Sequence, residues 1–310
     1  MNYKEFISKV KSLVENEMSD EYSVQLHIVV KNNDIEKDGL TILKKGERVS
    51  PTIYLNEYFE RYTKGEAMES IIQEIINLRI TTVQNEALNS LTENMLFTEW
   101  EDRIVFRVVN YTRNRKRLTN LPFIKFLDLA ITFHCLVKCN EEGIGSFAVT
   151  RELMEQWNVT AKELLKVSSE NTKRIFPPSI RTMEEVLSDM LPVEMRDELD
   201  NQELLQSMSA ENFEVSKYSM YILSNSNGIN GASAMLYRDV IDNFSQKIDS
   251  SFYILPSSIH EVILVPTDGE ISKDNLMEMV TEVNRTQVSD EEVLSNSVYF
   301  YDKVQRSIGM

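Results

Sequence analysis

The hydrophobic spacing changes period within the first thirty residues, and that change limits the fold more than any single motif does. In MNYKEFISKVKSLVENEM the apolar residues Phe6, Val10, Leu13 and Val14 fall three or four apart, the repeat of one helix face. In YSVQLHIVVKNND, Val24, Leu26, Ile28 and Val30 alternate, the repeat of one strand face. A chain that keeps both patterns packs helices on a sheet, and the expected class is α+β.

The strand pattern continues through KDGLTILKKGERVSPTIYL, whose short runs around Gly39 and Gly46 complete a small antiparallel meander. His27 falls on the polar face with Gln25 and reads as a solvated strand residue. At NEYFERYTKG the helical period returns, with Asn56 as the expected N-cap and Gly65 as the C-terminal stop. EAMESIIQEIINLRIT follows with Ile71, Ile72, Ile75, Ile76 and Leu78 at helical offsets. RIVFRVV then reads as a strand that closes this helix-plus-meander module, giving expected domains of 1–120 and 121–310. The length of 310 residues agrees with two packed domains.

The second module is expected to hold a mixed or antiparallel sheet built from strand-strand-helix units. Two stretches resemble each other, 128–165 and 249–294, and whether they are a true repeat stays open. Each ends in a capping-box pattern: Thr160 with Glu163, and Ser289 with Glu292. Val159 with Leu164, and Val288 with Val293, complete hydrophobic staples. Between the two stretches, a Pro177-Pro178 pair and a dense acidic run mark a helical connecting segment around 175–215. KYSMYILSNSNGINGASAML reads as two strands around a Gly/Asn turn, with ASAML as the second strand and a helix, YRDVIDNFSQKI, after it.

Charge and cysteine content bound the partners and the compartment. With 49 acidic against 33 basic side chains the net charge is −16, which repels nucleic acid and anionic membranes. The basic run Arg103, Arg107, Arg113, Arg115, Lys116 and Arg117 is the exception. It lacks regularly spaced stacking aromatics and reads first as a solvated loop that relieves acidic repulsion, second as a phosphate site. No segment approaches the roughly 18 apolar residues of a membrane span, and the N-terminal helix has no signal-type apolar core. Cys135 and Cys139 sit on one face of an expected strand, about 13 Å apart at roughly 3.3 Å per residue, too far for a disulfide. A cytoplasmic location, without membrane association, is expected.

The densest chemistry lies in LPSSIHEVILVP, where Ser257, Ser258, His260 and Glu261 separate two apolar runs. A strand beginning at Ile259 would set His260 and Glu261 on opposite faces, where they cannot act on one atom. No G-x-S-x-G elbow surrounds the serines, and the zincin pattern would need a second His where Leu264 stands. A hydrogen-bonded turn is the economical reading, and a binding corner using Ser258 and His260 is the functional one. NGING lacks the Lys and helix start of a phosphate loop and reads as a turn. Three scattered histidines, His27, His134 and His260, offer no paired metal-ligand spacing, so neither metal nor cofactor is expected.

The segments YILPSSIHEVILVP, NGASAMLYRDVI, VNRTQVSDEEVLSNSVYFYD and VSPTIYLNEYFERYTKG together resemble a bacterial group, domain-of-unknown-function family 5688. The resemblance runs over nearly the whole chain and implies no reaction, cofactor or site residue. The functional expectation is a non-enzymatic binding or protein-interaction protein with a protein or small-molecule partner. The alternative is a hydrolase-type enzyme with a site around His260 and Glu261; Ser257, Ser258, Arg113, Arg115 and Arg117 are the further candidate site residues.

Overall fold

The computed structural model describes residues 1–46, 50–82, 95–140, 143–190, 220–267 and 272–310. Contacts divide the chain into one unit of Met1–Trp100 with Val137–Gly145 and another of Glu101–Leu136 with Ser146–Met310. Helices and antiparallel sheets make up the chain, which is an α+β protein.

The N-terminal unit holds α1 (Tyr3–Glu17), β1 (Tyr22–Val30), β2 (Glu36–Lys44), β3 (Thr52–Tyr54), α2 (Leu55–Thr63) and α3 (Met68–Thr82). A capping box starts α1: Glu5 N–H donates to Asn2 Oδ1, and Asn2 N–H donates back to the Glu5 carboxylate, each at 3.0 Å. Phe6, Val10 and Val14 are fully buried, each contributing about 1.5–3 kcal/mol by leaving water. They pack with Leu40 and Ile42 of the meander and with Ile71 and Ile75 of α3. Strands β1, β2 and β3 pair antiparallel in that order. The alternation in β1 outruns the core it serves: Val24 is buried, whereas Ile28 and His27 are exposed.

Asn56 is not the N-cap of α2. The helix starts at Leu55, directly from β3, and the cap position, Tyr54, makes no side-chain cap bond. Burial of Leu55 and Tyr58 sets the start, so packing overrides the capping preference. Gly65 does close the helix, at φ +100°: its N–H donates to Tyr62 O at 3.0 Å and Glu66 N–H donates to Arg61 O at 3.2 Å. That pair of bonds is the Schellman arrangement, which requires a left-handed residue at this point.

β4 (Ile104–Asn110), β6 (Leu129–Asn140) and β5 (Phe123–Phe126) form a sheet in that order, and β7 (Gly143–Ala148) also pairs with β6; apart from Val137–Gly145 these strands belong to the second unit. Helices α4 (Arg151–Gln156) and α5 (Ala161–Ile175) follow. The Thr160 capping box is formed, with Thr160 N–H donating to Glu163 Oε2 at 2.7 Å. One side of α5 closes the open edge of β4: Thr172 Oγ1 accepts from Phe106 N–H at 2.9 Å, and Asn171 Nδ2 donates to Ile104 O at 3.1 Å. Cys135 and Cys139 are both free thiols in β6, and burial pushes the Cys135 thiol up to about 12.

The larger sheet has six antiparallel strands in the order β13-β12-β10-β11-β9-β8. They are β8 (Pro178–Thr182), β9 (Tyr221–Asn225), β10 (Phe252–Leu255), β11 (Val262–Pro266), β12 (Tyr299–Asp302) and β13 (Ser307–Gly309). Pro178 opens an edge strand, where a missing N–H is tolerated. Short α6 (Met183–Met190) continues β8, and α7 (Arg238–Ile248) and α8 (Lys273–Thr286) cover opposite faces. Phe244 of α7 joins a ring series from Tyr221 through Phe252 to Tyr301, while Leu276 and Val280 of α8 pack on Leu255 and Val265. Two covered faces explain why VILV is apolar without alternation. Of the expected acidic connecting segment, 191–219 lie outside the described residues.

Two expectations fail here. ASAML is no strand: Gly231–Leu236 is a 3-10 turn of helix, buried from Gly231 to Met235, whose small side chains allow it to sit against the chain at Ser224 and His260. Ser289 caps no helix either. Glu292 and Val293 N–H both donate to its carbonyl in a single turn, after which Val293 bridges to Ser258 and the chain leaves helical geometry.

Candidate functional site

The LPSSIHE corner joins β10 to β11, and its backbone is held on both sides. Ser257 and Ser258 are buried. Ser257 O accepts from Leu294 N–H at 3.3 Å, Pro256 O from Ser295 N–H at 3.0 Å, and Ile259 N–H donates to Glu292 O at 2.9 Å. On the other side Ile259 O accepts from Ala232 N–H at 3.2 Å, and His260 O from the Ser224 hydroxyl at 2.8 Å. Within the corner, Ser258 Oγ accepts from the His260 N–H at 2.9 Å, a serine turn.

The strand begins only at Val262, so His260 and Glu261 lie in the connection and not on opposite strand faces. The His260 ring is half-buried. Its Nδ1 accepts from Asn230 N–H at 3.4 Å, which places the proton on Nε2, 3.4 Å from Glu292 Oε1. Burial raises the Glu261 carboxyl above the ordinary carboxylate range, with Glu292 adding to the effect and His260 opposing it. An imidazole with a carboxylate partner can relay a proton, yet the neighbouring Ser258 oxygen faces a backbone amide.

The candidate arginines engage other neighbours. The Arg113 backbone amide donates to Asn110 Oδ1 at 2.9 Å, and the Arg115 guanidinium donates to the Tyr111 hydroxyl at 2.6 Å and lies 4.6 Å from that ring. Arg117 lies close enough to Arg107 and His134 that its charge lowers both their pKa values.

Sequence reasoning missed a cavity of about 310 Å³ between α7, the 231–236 segment and the β12–β13 hairpin. Met235, Ile241 and Ile308 form apolar wall, and Asp242, Arg306 and Arg238 supply charge. Asp242 is buried and accepts from the Tyr301 hydroxyl and from Arg306, whose Nε is 3.1 Å away. These donors hold the Asp242 carboxyl below its usual range. Arg238, at the first position of α7, is exposed and forms no hydrogen bond or ion pair with any described residue. Asp242 and Arg306 are 64 positions apart, so nothing local in the sequence announces the pair.

Among the described residues no cluster of His, Cys, Asp and Glu could hold a metal ion, and no helix is long and apolar enough to cross a membrane. The fold thus defines an α+β protein with two compact units and an antiparallel six-stranded sheet. The chain belongs to a family of unknown function, DUF5688, whose model matches residues 3–303. No curated protein and no solved structure matches it.

Proposed function

We propose that the chain is a non-enzymatic binding protein of the cytoplasm whose ligand is a small molecule with an apolar body and a carboxylate head. The carrying observation is the cavity beside α7. Its volume lies at the lower end for small-molecule sites, and its wall is apolar with a few convergent polar groups. Asp242 is already paired with Arg306 and hydrogen-bonded by Tyr301, whereas Arg238, whose charge also acts on Asp242, makes no hydrogen bond or ion pair among the described residues. A carboxylate there gains a bidentate partner and the positive end of the α7 dipole. The two free thiols support a reducing compartment. The hydrolase reading draws support from the His260–Glu292 pair, but Ser258 is oriented toward the His260 amide and offers the imidazole no nucleophile.

A thermal-shift series with medium-chain alkyl and aryl carboxylates, each matched by its alcohol, tests the proposal. Carboxylates are expected to raise the melting temperature and alcohols to do so less. Arg238→Gln removes the difference, and Ile241→Trp fills the cavity and removes binding of both. Carboxylate shifts that persist in both variants, or no shift with any carboxylate, overturn it.

A further inference from the structure

One face of the β4-β6-β5 sheet gathers positive charge in a chain whose balance is strongly negative. Register places Arg107 opposite Thr132, and Thr132 opposite Phe123, so the three side chains stand in a row across the strands. His134 is two positions along β6 from Thr132, on the same face, with its Nε2 3.2 Å from the Thr132 hydroxyl. Lys125 and Arg115 lie 4.9 and 4.6 Å from the centre of the Tyr111 ring, and Arg151 lies 5.9 Å from that of Phe123. Tyr111 and Phe123 are themselves in contact, at 5.7 Å. Arg107, Arg115, Lys125 and Arg151 form no ion pair with any described residue, although acidic side chains outnumber basic ones across the chain by 49 to 33.

Arg107 is the anomaly within this group. Its guanidinium carries five N–H donors. It is partly buried between strands, and among the described residues the one partner of its guanidinium is the Ser146 hydroxyl, 2.8 Å from Nη2. Burial and the Arg117 charge lower its pKa to about 10, which leaves it charged at neutral pH. The residue is half-buried and not sealed in the core. A sunken cation without a counter-ion costs free energy unless an anion completes it.

We propose that this face is a phosphate receptor, with Arg107 and Ser146 in direct contact with the phosphate and Arg115, Lys125 and Arg151 as the surrounding field. Several converging cations select a dianion over a monocarboxylate, and the guanidinium fork matches phosphate geometry. The tyrosine and phenylalanine rings are already covered by cations, so the site takes a single phosphate group rather than stacked bases. The site is separate from the cavity beside α7 and does not depend on it.

The test is calorimetric titration with inorganic phosphate and with ribose 5-phosphate, ionic strength being held constant with chloride. Both are expected to bind. Arg107→Gln weakens binding at least tenfold, Arg107→Lys is intermediate, and Lys125→Gln weakens it several-fold with the melting temperature unchanged. Ribose 5-phosphate binding tighter than inorganic phosphate assigns a phosphomonoester; equal affinities assign free phosphate. Without phosphate, Arg107→Gln is expected to melt no lower than the parent, because the lost charge had no counter-ion. Absence of binding by both probes, affinity unchanged in Arg107→Gln, or a lowered melting temperature of that variant without phosphate overturns the proposal.

Discussion

Gly231 and His260 meet backbone to backbone: a Cβ added to Gly231 would stand 2.4 Å from the His260 carbonyl oxygen, and 2.7 Å from Asn225 N. Both of those atoms are main chain and cannot rotate away. Gly231→Ala therefore forces the 231–236 segment off β9 and the LPSSIHE corner, at an expected cost of about 1–3 kcal/mol, the usual range for overpacking. Urea unfolding with an unchanged slope and a lower midpoint is the expected result. Parent-like stability would show that the segment can slide outward.

Asp128 draws together three hydroxyls from the last stretch of the chain. Ser295, Ser297 and Tyr299 all donate to its carboxylate, and the Tyr299 ring is fully buried. Tyr299→Phe deletes one bond to a charged acceptor and should cost about 1.5–3 kcal/mol. Burial, with the Asp128 charge behind it, drives the Tyr299 phenol above the range in which exposed tyrosines ionise. In an alkaline titration the phenolate signal before unfolding should be the same in parent and variant; a smaller signal in the variant would mean that Tyr299 ionises in the folded state.

The elements that were legible are those whose pattern and packing agree. Phe6, Val10 and Val14 announce α1, and Thr160 with Glu163 announces α5, because local preference and burial point the same way. Ser289 with Glu292 carries the same motif and yields one turn, since the bridge from Val293 to Ser258 pulls the chain into extended geometry. Likewise ASAML has the pattern of a strand and folds as a 3-10 turn, because neither the tight approach at Gly231 nor the bond from Ala232 N–H to Ile259 O is a local property. The site suffers most from this. LPSSIHE is dense in reactive residue types, but its polar groups are largely spent on holding the chain. Asp242, Arg238 and Arg306 look like ordinary helix and hairpin residues until the fold joins them.

Asp242 makes the cavity sensitive to acid. Its Tyr301 and Arg306 partners hold the folded pKa below the unfolded value, so its contribution is complete above the ordinary carboxylate range near 3.9. That contribution is lost as the pH falls through the depressed folded value. Asp242→Asn should therefore be less stable than the parent at neutral pH, with the gap closing on acidification. Thermal melts at a series of pH values measure it, and a gap independent of pH would assign the effect to packing alone.

His134 should act with the opposite charge logic and in a milder pH range. Burial holds its imidazole well below the ordinary 6.5, with the charges of Arg107 and Arg117 adding to the effect and Thr132 as the hydrogen-bonding neighbour. The folded protein thus keeps His134 neutral while the unfolded chain takes up a proton below about pH 6.5. Its effect on stability is nil above that point. As the pH falls, the unfolded state gains up to about 1.4 kcal/mol per pH unit, until the folded value is reached. His134→Gln keeps a polar partner for Thr132 and removes the titration, so the variant should gain on the parent steadily as the pH falls below about 6.5. Unfolding curves in phosphate-free buffer provide the measurement, since phosphate at Arg107 would stabilise the folded state separately. A constant difference between parent and variant would show that the imidazole is protonated inside the fold, and that the neighbouring arginines are further from it than this sheet face places them.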